Sequence, residues 1–104
     1  MQPSLPPPVS RIFALSPEYQ ADAAWEYSYL WVLAAESGDA SREDACYAIA
    51  NLISLPAVAA EPQLREVVEL AGNLELGGRY SPGGFDADWQ RLWDAVRNRN
   101  EAAR

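Results

Sequence analysis

Three stretches of this chain repeat apolar residues at the spacing of an α-helix. A fourth is apolar almost all round, and none alternates apolar with polar residues as a strand does. The clearest stripe is Leu64, Val67, Val68, Ala71 and Leu74. Ala45, Cys46, Ile49, Leu52 and Ile53 make a second, and Phe85, Trp89, Leu92, Trp93 and Val96 a third. After Ala24, through Trp25, Tyr27, Tyr29, Leu30, Trp31, Val32 and Leu33, apolar residues cover most of a helix's circumference, which suits a helix placed centrally among others. In 104 residues such helices must bury their stripes against one another. The spacing therefore predicts an all-α fold, a compact four-helix bundle.

The punctuation between the stripes agrees. Ser16 is placed to cap a first helix, Pro17 suits its first position, and Gly38 is a natural stop after Ser37. Ser41-Arg42-Glu43-Asp44 is a capping pattern with Asp44 in place of the usual Glu or Gln, and Pro56 is expected to end the helix that follows. A third helix is expected from Glu61-Pro62, with close packing or early fraying at Gly72. A fourth is expected from about Asp86 to Asn100, beyond the glycine-rich loop Gly77 to Gly84. That loop has neither a preceding strand nor a following Gly-Lys-Ser/Thr, so a phosphate-binding role is discounted. Residues 1–16 hold four of the eight prolines, three of them consecutive at Pro6, Pro7 and Pro8. They read as an extended proline-rich arm whose second half, with Val9, Ile12, Phe13 and Leu15, lies on a bundle formed by residues 17–104.

The residue inventory narrows the chemistry. The chain has no histidine, no lysine and no threonine. Histidine is the usual general acid–base group near neutral pH and the commonest metal ligand; lysine supplies Schiff-base chemistry. The remaining enzymatic candidate is Glu26, a carboxylate between Trp25 and Tyr27 that would need a second carboxylate across a cleft. The expectation is no enzyme, no cofactor and no metal. Cys46 falls on an inner helical face and reads as a buried, inert thiol. One cysteine forms no internal disulfide, no apolar run is long enough to span a bilayer, and no secretory signal is visible; cytoplasm is the expected compartment.

Fifteen acids stand against eight arginines, a net charge of −7. Such a surface repels nucleic acid and anionic lipid and attracts basic surfaces, so neither direct nucleic-acid binding nor membrane binding is expected. The basic cluster Arg91, Arg97, Arg99 and Arg104 suits the negative end of the last helix, and acidity by itself serves solubility. Two acidic patches are candidate partner-binding sites. Glu18, Asp22 and Glu26 line one helical face at spacing four, with no cation on that helix to relieve them. Glu75, Asp86 and Asp88 flank the loop that carries Tyr80. Carboxylates on a rigid scaffold can stand where phosphates would sit in the cleft of a nucleic-acid enzyme and be gripped bidentately by its arginines. Tyr80, Trp25 or Tyr19 would supply an anchoring ring.

Three stretches carry a family resemblance: residues 36–45, Leu64-Arg-Glu-Val-Val-Glu-Leu-Ala71 with Asn73 and Leu74, and Tyr80 with Phe85-Asp-Ala-Asp-Trp89 and Leu92. Their order resembles the colicin D-type immunity proteins over roughly residues 17 to 97. Trp31, Trp89 and Trp93 are not demanded by that pattern. The resemblance implies a bacterial antidote that blocks the active site of a tRNA-cleaving toxin with acidic side chains, here Asp86, Asp88 and Glu75. The leading expectation is thus a small acidic inhibitor of a basic nucleic-acid-handling protein, such as a nuclease toxin. A phage-encoded inhibitor of bacterial defence and a helical assembly subunit that oligomerises through its aromatics are the alternatives.

Overall fold

A computed structural model describes residues 8–76 and 84–102, and all their regular structure is helical. The order is α1 (Ser10–Phe13), α2 (Pro17–Glu36), α3 (Arg42–Ala50), a 3-10 turn (Asn51–Ser54), α4 (Pro56–Ala60), α5 (Pro62–Glu75) and α6 (Phe85–Ala102). The all-α expectation holds, but a plain four-helix bundle does not. Four long helices are accompanied by two short ones, α1 ahead of α2 and α4 between α3 and α5, making six among the described residues. The second half of the arm is also not extended: from Ser10 it forms a helical turn with Ile12 buried against the bundle, while residues 1–7 lie outside the described chain.

Local chemistry sets the boundaries. Proline opens α2, α4 and α5, where its missing N–H costs no helical bond. Pro56 therefore starts a five-residue helix, and the α-helical part of α3 stops earlier, at Ala50. Ile53, in the intervening 3-10 turn, faces outward at 54% exposure because the tighter turn takes it off the inner stripe. The α2–α3 corner is closely specified. Gly38 has φ +86°, and the amides of Gly38 and Asp39 donate back to the carbonyls of Ala35 and Ala34. This is a Schellman closure, which needs a left-handed residue at that place. Ser41 then caps α3, its Oγ accepting from the Asp44 amide at 3.0 Å.

The core draws on every helix. Ile49, Leu52, Leu64, Leu74, Leu92, Val32 and Val96 are fully buried. The central helix α2 packs against α1, α3, α4 and α6, and α5 packs against α3, α4 and α6. Gly72 neither packs closely nor frays the helix: α5 continues to Glu75, and the space beside Gly72 is open. The Cα radius of gyration, 12.9 Å, matches the roughly 13 Å of a compact domain this long.

Candidate functional site

The long helices run so that the end of α2, the start of α3, the end of α5 and the start of α6 meet at one end of the molecule. Two contacts fix this. The Trp89 indole N–H donates to Glu36 Oε1 at 2.8 Å, and Arg42 of α3 reaches Asp86 of α6 at 2.9 Å while lying 5.4 Å from the Trp89 ring centre. Glu75 approaches from α5, near enough, with Glu43, to disfavour ionisation of the Cys46 thiol. Glu36, Asp39, Glu43, Asp44, Glu75 and Asp86 thus share one end, all exposed. Arg42 is the one arginine of the described residues at these helix ends. The N-termini of α3 and α6 present their positive dipole ends here, which steadies the carboxylates beside them.

Several expected site residues behave differently. Asp88 is only 4% exposed and is held by Arg91 at 3.2 Å, so its carboxylate is spent inside the fold. Trp25, a candidate anchoring ring, is 2% exposed, with its N–H donating to Glu61 at 2.9 Å and Arg99 over its face. Tyr19 is well exposed, whereas Tyr80 lies outside the described residues.

The seam on α2 lies apart from this end. Glu18 and Glu36 are 18 residues apart on one helix, roughly 27 Å at 1.5 Å per residue. Asp22 is not unrelieved: Arg99 of α6 pairs with it at 3.0 Å. Glu26 is exposed, at the rim of a groove beside α1. The two patches are therefore separate surfaces. Residues 36–44 were missed as site residues. Their signal is topological, because when the four long helices α2, α3, α5 and α6 alternate in direction, the α2–α3 and α5–α6 junctions fall at the same end.

Arg104 of the basic cluster lies outside the described residues, and the other three arginines are internally committed. Arg91 meets Asp88 and Glu66, Arg97 meets Asp94, and Arg99 meets Asp22. Arg97 also lies over Trp93, which stacks on Tyr29 of α2. Arginine pinned between a carboxylate and an indole thus recurs at Trp25, Trp89 and Trp93, and each one joins or borders the α2–α6 seam.

Cys46 is fully buried, and its thiol is pushed up to about 12 by burial first, then by Glu43 and Glu75, against a smaller opposing pull from Arg42. It is an inert thiol, as its helical position implies. Burial likewise raises the Tyr27 phenol, with the Trp31 indole opposing part of that rise. Among the described residues no group of His, Cys, Asp and Glu side chains is arranged to hold a metal ion, and no helix is long and apolar enough to cross a membrane. No protein-family model, no curated protein and no solved structure matches the chain.

Proposed function

We propose that this chain is a small acidic binding protein that masks a basic, nucleic-acid-handling protein such as a nuclease toxin, using the carboxylate-rich end of the fold. The observation that carries the reading is the convergence of Glu36, Asp39, Glu43, Asp44, Glu75 and Asp86 on that end, with Arg42 as its one described arginine. A second feature supports it. The backbone beneath these acids is held by the Gly38 closure, the Ser41 cap and the Trp89–Glu36 bond, so little entropy is lost when a partner grips them. Carboxylates held in place can then occupy the phosphate positions of a basic cleft and be gripped by its arginines, Glu43, Asp44 and Glu75 displacing only water and Asp86 exchanging its exposed pair with Arg42. The resemblance to colicin D-type immunity proteins points to the same partner class, and there Asp86 and Glu75 keep the role it implies while Asp88 supports the fold.

The test is affinity capture from the cells that make this protein, with the retained partner identified and its release followed as NaCl rises from roughly 0.05 M to roughly 1 M, where screening shortens to a few ångströms. The expected result is a basic nucleic-acid enzyme released by salt and inhibited by the pure chain. A neutral or acidic partner that stays bound through the salt series overturns the reading.

A further inference from the structure

Five of the six described arginines have a carboxylate within ion-pair distance; Arg11 alone has none. It stands at the rim of a groove of about 260 Å³ between α1 and α2, walled by Pro8, Ile12, Leu15, Ala23, Tyr27 and Leu30. Glu26 lies at the same rim, also without an ion pair, and the two do not pair with each other. Three of the seven exposed large apolar side chains, Phe13, Leu15 and Tyr19, cluster at the adjoining α1–α2 corner. Exposed apolar surface beside one unanswered cation and one unanswered anion marks an interaction face.

We infer that this groove is a two-fold interface between copies of the chain, with Arg11 of each copy meeting Glu26 of the other across apolar walls. A two-fold contact places the same patch on both sides, so a patch carrying one cation and one anion answers itself twice over. Residues 1–7, which precede the groove in the chain, contain no acidic side chain and so cannot supply Arg11 with a carboxylate. This surface is separate from the acidic end and independent of the masking role; a dimer built on it would carry two such ends.

Sedimentation equilibrium on the whole chain from about 10 µM to about 500 µM tests the inference, spanning the range of weak self-association. The wild type is expected to shift from monomer to dimer, less so at high salt. Arg11→Glu and Glu26→Arg, each checked for unchanged helicity, are each expected to weaken the dimer about tenfold or more, since each sets like charges opposite twice. Mixed together, the two variants are expected to form a heterodimer, because every facing pair is then opposite in sign. A wild type that stays monomeric overturns the interface. So do single variants that dimerise normally, or a mixture that does not associate.

Discussion

The Trp89 indole N–H donates to Glu36 at 2.8 Å, fastening the start of α6 to the last residue of α2 beneath the acidic end. Trp89 is 2% exposed, so its N–H has little water to turn to if the carboxylate is removed. Glu36→Ala is therefore expected to lower stability by about 1–3 kcal/mol, the cost of an unsatisfied buried donor. Glu36→Gln, which keeps an acceptor oxygen, should lose clearly less. Thermal unfolding checks this, at about 4–8 °C of melting temperature per kcal/mol for a domain this size.

The two glycines Gly38 and Gly72 should respond in opposite directions to the same substitution. Gly38 needs its positive φ for the corner, so Gly38→Ala is expected to cost about 1–2 kcal/mol. Gly72 is helical, with open space where a methyl would go, so Gly72→Ala is expected to stabilise by about 0.5–1 kcal/mol. Urea unfolding of both variants reads the sign directly.

Stability is expected to fall on the alkaline side. The Cys46 thiol ordinarily ionises near 9.0, and in the fold only at about 12. Between those values the unfolded chain releases the proton and the folded chain keeps it. This contribution is therefore fully present below about pH 9 and is lost as pH rises toward about 12. The raised Tyr27 phenol acts in the same direction. Cys46→Ala should flatten part of the decline in a pH series of denaturation midpoints. The native thiol should also resist a disulfide reagent at pH 8 until the protein unfolds.

Surface and core should differ sharply. Asp22→Asn breaks the Arg99 ion pair, but the Asp22 side chain is 80% exposed, so a change of no more than about 1 kcal/mol is expected. Leu92→Ala, at a fully buried position facing the other helices, is expected to cost about 2–5 kcal/mol. Comparable effects at the two sites in thermal melts would contradict the assigned core.

Much of this fold is legible from short-range chemistry. Ser41 caps where the capping pattern puts it, Gly38 closes where a stop is expected, and Pro17 and Pro62 open helices. The segment from Asn51 to Ala60 is not legible, because its apolar stripe continues past Ala50 while the backbone tightens into a 3-10 turn and Pro56 begins a new helix. The site is less legible than the fold. Sequence alone does not separate Asp86, which projects into solvent, from Asp88, two residues on, which turns inward to Arg91. Nor does it reveal that Trp25 and Trp89 are spent on the core, since an aromatic ring satisfies a core and an interface equally well. Glu36 and Glu43 become visible only once the helix ends are seen to meet.

On the proposed reading, the end gathering Glu43 and Glu75 meets the basic partner and the α2 seam does not. The most direct test is the dissociation constant for the captured partner, measured by calorimetry at low salt for two paired charge reversals. Glu43→Arg with Glu75→Arg is expected to weaken binding about 100-fold or more, as like charges then face each other across the contact. Glu18→Arg with Asp22→Arg, on the distant seam and outside the α1–α2 groove, is expected to change it less than about tenfold, the range of long-range steering alone. Equal losses from the two pairs, or a larger loss from the seam, would contradict the account.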